Sequence, residues 1–179
     1  MDTESVQHEM KQRATKSKKS RIREKEIEFK QWVTLKVNNE LFAIDALQVI
    51  EVQKYGDITP VPNSKEFIIG LINLRGKVIT VIDTRIMFSL SQKEPDDQTN
   101  IILVDYNQDE MVGFIVDSVD EVINIPTAGI EAAPRISKGS AKSEFVSGVT
   151  YYNNKMIICL DIVKINLHIT PETEKGVAS

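Results

Sequence analysis

A chain of 179 residues with 41% hydrophobic and 27% charged side chains has the balance of one globular domain able to bury a real core, and no apolar run approaches the ~20 residues that would cross a bilayer. The opening MDTESVQHEM lacks the apolar stretch of a secretory signal, and the single cysteine, Cys159, excludes an intramolecular disulfide. A cytoplasmic protein is the expectation.

In chain order, residues 11–23 (KQRATKSKKSRIR) carry seven Lys/Arg and no acid, so a net charge of -4 leaves -11 for the remainder. Residues 1–28 have few apolar positions and no alternation, which reads as a basic arm, disordered or a frayed helix, ahead of an acidic body. From Phe29 onward the runs WVTLKV, LFAID, ITPV, LINL, VITVID, IILVDY, MVGFIVD, EFVSGVTYY and MIICLDI are short, rich in valine and isoleucine, and separated by turn residues such as Asn38-Asn39 and Asn153-Asn154. Two short helical insertions are predicted within this β pattern. One is DALQVIEV, with Asp45 as cap; the other is NSKEFIIG, with Asn63 as cap and Gly70 as terminator. In GLINLRGKVITVIDTR, Arg75-Gly76 separates two apolar runs, and glycine can take the positive φ of a tight turn. That predicts a β-hairpin with Arg75 at its tip. The polar stretch at residues 89–100 reads as a joint, Cys159 as a buried small hydrophobe, and residues 168–179 as a C-terminal tail.

The two halves resemble each other. FAIDALQVI (residues 42–50) recurs 72 residues later as FIVDSVDEV, and KVITVID (77–83) recurs 78 residues later as KMIICLD. A duplicated unit of about 70 residues predicts an all-β protein of two similar small barrels rather than one sandwich.

Asp45, Asp83, Asp117 and Asp161 each end an apolar run, a pattern that could hold a metal or serve acid–base chemistry. Capping of the following turn is the stronger expectation, because a duplication repeats a structural device more readily than half an active site. No HExxH, GxSxG, phosphate-binding glycine loop or ligand-spaced Cys/His set is present, and His8 and His168 fall in the expected tails. No catalytic, metal or cofactor-binding residue is assigned. A rival reading is a small nucleic-acid-binding barrel with a basic arm, although the body is acidic and Trp32 is the only tryptophan.

EFIIGLINLRGKVITVIDTR, with FAIDALQVIEV upstream and VGFIVDSVDEVI and MIICLDIVKI downstream, closely resembles the CheW family of bacterial chemotaxis coupling proteins over residues 29–167. Thr80 stands where many relatives have proline, and the basic arm has no counterpart in the pattern. The resemblance implies two five-stranded SH3-like β-barrels about a hydrophobic groove and no enzymatic activity or cofactor. It implies an adaptor that joins the histidine kinase CheA, through its regulatory domain, to methyl-accepting chemotaxis receptors. Other CheW-like proteins in rings are further partners; nucleic acid is not expected, and membrane is reached only through the receptors. It also implies that Arg75 pairs with Glu51 near the binding surfaces. Val49, Ile50, Val52, Leu71 and Ile101 are the candidates for the apolar groove, and Gly70, Asn73 and Gly76 join them as residues of the motif.

Overall fold

The computed structural model describes residues 26–133 and 141–169, together with residues 6, 7 and 10. Most of the expected arm (1–28) and tail (168–179) lies outside these residues. The strands are β1 (Phe29–Val37), β2 (Glu40–Asp45), β3 (Val49–Lys54), β4 (Ile68–Leu74), β5 (Lys77–Asp83), β6 (Asn100–Asn107), β7 (Glu110–Val116), β8 (Ser118–Pro126), β9 (Val146–Tyr152) and β10 (Lys155–Leu160). Two short helices, α1 (Thr84–Met87) and α2 (Ile162–Ile169), follow β5 and β10.

The strands form two five-stranded sheets, β8-β1-β2-β10-β9 and β3-β6-β7-β5-β4. Each sheet takes strands from both halves of the sequence. The first sheet takes β1 and β2 from the first half and β8–β10 from the second; the other takes β3–β5 from the first half and β6 and β7 from the second. The halves are locked by matching parallel pairings, β5 with β7 (Ile82 opposite Phe114) and β10 with β2 (Ile158 opposite Phe42). This corrects the expected role of residues 89–100. They join β5 to β6 within one sheet, so they separate the repeats and not the subdomains. The chain crosses between sheets at the 3-10 turn Ala46–Gln48 and at Asp117.

Both predicted helical insertions are also corrected. Of DALQVIEV only Ala46–Gln48 is helical, capped by the Asp45 carboxylate, and Val49 onward is strand β3. Its β-branched residues suit a strand, and eight residues hold no helix unaided. Asn63 has a φ of 59°, which is not the extended geometry of an N-cap, and Gly70 lies inside β4. The run ITPV is not a strand and makes one bridge, Thr59 to Leu71. Conversely, α2 extends through His168 and Ile169, two residues assigned to the tail.

Alternation along the central strands divides the interior into three cores. Val33, Leu35 and Val37 of β1, Phe42 and Ile44 of β2, Ile102 and Val104 of β6, and Phe114 of β7 face a core shared by the sheets, which Phe88, Phe145 and α2 complete. The opposite faces enclose one small core per sheet, Trp32, Ala43, Ile123, Ile157 and Cys159 in one, and Ile79, Val81, Ile101 and Leu103 in the other. Strands buried on both faces explain why VITVID and IILVDY read as unbroken apolar runs. Each fully buried large side chain contributes about 1.5–3 kcal/mol, against about 0–1 for an exposed ion pair, so these cores set the stability.

The duplication extends to the edges. The segment after β3 crosses edge strand β4 through paired Thr59–Leu71 backbone bonds of 2.8 and 2.9 Å, and the segment after β8 crosses β9 through Glu131–Val149 bonds of the same lengths. At each crossing stands a glycine, Gly70 or Gly148, where an added Cβ would lie 2.2 Å from the Thr59 carbonyl oxygen or 2.6 Å from that of Glu131. Backbone cannot yield as a side chain does. Gly70→Ala is therefore expected to lower stability by about 2–3 kcal/mol in urea unfolding, and Gly148→Ala by a similar amount, the cost of overpacking. An unchanged midpoint would show that the crossing segments are not held.

Candidate functional site

The β4–β5 hairpin closes through Leu74 opposite Lys77, leaving a two-residue turn with φ of 51° at Arg75 and 84° at Gly76. Positive φ at both positions is the type I′ geometry that matches the twist of paired strands. The turn directs Arg75 outward, with its side chain 77% exposed, and its Nη2 donates to Glu51 Oε2 at 2.9 Å. Glu51 lies on β3, at the opposite edge of the same sheet. Two further contacts hold the tip. Asn73 Oδ1 accepts from the Gly76 N–H at 3.0 Å, and Lys77 Nζ lies 3.1 Å from Asp109 Oδ1 in the neighbouring β6–β7 turn.

The other candidates separate by burial. Ile50 and Val52 are 47% and 41% exposed beside Glu51, and they are the accessible apolar residues of the set. Val49 is half-buried and packs against the shared core. Leu71 is half-buried, and its backbone carries the Thr59 crossing; Gly70 serves that same close approach. Ile101 is 1% exposed within a small core, so its assignment to a groove is corrected. On β6 it pairs with Gln53 of β3 and Ile115 of β7, and it faces the inside of its own sheet. The space between the sheets is occupied by the shared core.

The internal repeat supplies a control for the ion pair. At the displacements that relate the halves, Arg75 corresponds to Asn153 and Glu51 to Ile123. The β9–β10 hairpin turns on Asn153 and Asn154, with φ of 49° and 61°, and Ile123 is buried. The same hairpin thus forms without the pair, and folding does not account for it.

Three of the four aspartates act as caps. Asp45 accepts from the Leu47 amide, Asp83 from those of Arg85 and Ile86, and Asp161 from that of Lys164. Asp117 does something else. It accepts from the Asn38 amide of the β1–β2 turn and receives Arg85 Nε at 2.7 Å and Nη2 alongside, tying one sheet to the other at a crossing point. Burial works to raise the Asp117 pKa, but the hydrogen bonds from Arg85 and the Asn38 amide, with the guanidinium charge, hold it below the usual carboxylate range. A depressed folded-state pKa gives stability that is present above the unfolded value near 3.9 and lost as pH falls through the folded value. Asp117→Asn is accordingly expected to flatten the decline in melting temperature below about pH 4; an unchanged acid limb would overturn that role. No sequence signal joins these partners, which lie 32 residues apart.

Among the described residues, no three His, Cys, Asp or Glu side chains come close enough to hold a metal ion. Cys159 is buried, and desolvation pushes its thiol up to about 11, which disfavours the thiolate. Trp32 is 4% exposed, so it offers no stacking platform for bases. No described helix is long and apolar enough to cross a membrane.

The model of the CheW-like domain family matches residues 31–168. The chain belongs to the CheW-like family. It is 33% identical over 129 residues to the chemotaxis protein CheW of Klebsiella aerogenes, covering 72% of this chain and 76% of that one. It is 40% identical over 102 residues to CheW of Bacillus subtilis, covering 57% and 65%. A crystal structure of the scaffolding protein CheW from Thermoanaerobacter tengcongensis superposes with a TM-score of 0.68 at 37% identity, covering 74% of this chain and 88% of that one. The paired five-stranded sheets are those of the CheW fold, and the nucleic-acid reading finds no support in this kinship.

Proposed function

We propose that this chain is a non-enzymatic chemotaxis adaptor that couples methyl-accepting chemoreceptors to the histidine kinase CheA. It is a chemotaxis coupling protein of the CheW family, and its work is to hold other proteins together. The observation that carries the reading is the exposed Glu51–Arg75 pair, presented by one of two duplicated hairpins and absent from the other. A receptor's cytoplasmic tip is a helical hairpin; Ile50 and Val52 beside the pair offer it apolar contact, and the pair fixes orientation. The regulatory domain of CheA, itself CheW-like, is the second partner, and other CheW-like chains in rings are further ones. The protein works in the cytoplasm and reaches membrane arrays through the receptors.

Titration of the full chain with the isolated CheA regulatory domain in a calorimeter is expected to give micromolar affinity without added cofactor, about -8 kcal/mol. Absence of heat with the cognate domain, confirmed by absence of co-elution, would overturn the kinase half of this proposal.

A further inference from the structure

Asn73 sits on exposed strand surface two residues before the turn, and its bond to the tip has a consequence for Arg75. The four two-residue hairpin turns among the described residues use Asn38-Asn39, Arg75-Gly76, Gln108-Asp109 and Asn153-Asn154, all at positive φ. Asparagine tolerates that region because its short amide can bond locally to backbone; arginine has no such local acceptor. In the Arg75 turn a neighbour supplies it, as the Asn73 carbonyl oxygen accepts the Gly76 N–H across the tip. At the corresponding place in the duplicated hairpin stands Tyr151, 66% exposed, followed by a turn of two asparagines. The asparagine amide has, in effect, moved out of the turn and into the strand, leaving the turn position free for a guanidinium.

We infer that Asn73 is the positioning residue for Arg75, holding the tip of the β4–β5 hairpin in the left-handed geometry from which the guanidinium meets Glu51 and a docking partner. This rests on the proposed role of Arg75 in binding and adds to it how the arginine is aimed. The Lys77–Asp109 bridge steadies the same tip from the adjacent hairpin, but with side chains 51% and 88% exposed it is the weaker brace.

Two substitutions in the full chain test the inference. Asn73→Val removes the acceptor while favouring a strand, so melting temperature should not fall; Asn73→Asp keeps an acceptor oxygen in place. In the free protein, Asn73→Val should speed hydrogen exchange of the Gly76 amide by about tenfold, and Asn73→Asp should leave it near the original rate. Binding to a receptor cytoplasmic-tip fragment should weaken about fivefold in Asn73→Val and stay within about twofold in Asn73→Asp. In an Arg75→Ala background, Asn73→Val should cost no further affinity, since the two would act through one another. Unchanged Gly76 exchange, equal losses in both variants, or an additive loss in the Arg75→Ala background would each overturn the assignment. If Arg75→Ala itself leaves receptor binding intact, the binding role of Arg75 fails, and Gly76 exchange still decides whether Asn73 holds the turn.

Discussion

Arg75→Glu is expected to abolish receptor-dependent activation of the kinase in reconstituted membranes while shifting the melting temperature by less than about 4 °C. The small thermal effect follows from exposure, because a surface ion pair contributes about 0–1 kcal/mol and a domain of this size moves about 2–4 °C per kcal/mol. The large functional effect follows from what replaces the pair. Two carboxylates would face each other where Nη2 and Oε2 now lie 2.9 Å apart, and the donor fork that arginine offers a carboxylate would be gone. Glu51→Arg should act likewise, setting two guanidinium groups together. The double exchange, Glu51→Arg with Arg75→Glu, restores opposite charges and should recover part of the coupling, which separates their mutual contact from their individual contacts with partners. Normal coupling in both single variants would return Arg75 to a charged turn residue. Loss in the singles without recovery in the double would leave both residues in the interface and remove the claim that they act as a pair.

What sequence reveals of this fold depends on how local the signal is. The hairpin at Arg75-Gly76 and the turns at Asn38-Asn39 and Asn153-Asn154 are legible because positive φ restricts the residues that can occupy them. The duplication is legible because the runs ending in Asp83 and Asp161 repeat at a displacement of 78 residues, and each aspartate caps the amide three residues on. Strand β3 is not, since Val49, Ile50 and Val52 are spaced as well for one turn of helix as for a strand, and its pairing with β6 is settled only by long-range contact. Strand β8 escapes because Asp120, Glu121 and Val122 are exposed and its inward positions are Ile123 and Ile125. The exchange of strands between the halves lies in long-range pairings, parallel for β5–β7 and β2–β10 and antiparallel for β1–β8 and β3–β6, which no local pattern encodes.

The candidate site follows the same division. The approach of Glu51 to Arg75 spans 24 residues and rests on the family resemblance, not on local pattern. Which apolar residues face a partner requires the facing of each strand, and Ile50 and Ile101 show the difference, since a run such as IILVDY names apolar positions without saying which face is covered.

That difference yields a second large effect. Ile101→Glu places a carboxylate in a closed apolar core beside Ile79, Val81 and Leu103. An unpaired buried charge costs several kcal/mol, a large share of the 5–15 kcal/mol that holds a domain, so this variant should fail to fold or should melt far below the parent. Ile50→Glu lies on exposed surface, where it should leave circular dichroism and melting temperature nearly unchanged and weaken pulldown by receptor tips about tenfold or more, as loss of an apolar interface anchor does. Far-ultraviolet dichroism with thermal melting of both variants, followed by pulldown of whichever folds, distinguishes core from contact. A well-folded Ile101→Glu with reduced binding would restore Ile101 to a docking groove, and a folded Ile50→Glu with full receptor binding would remove β3's outer face from the interface.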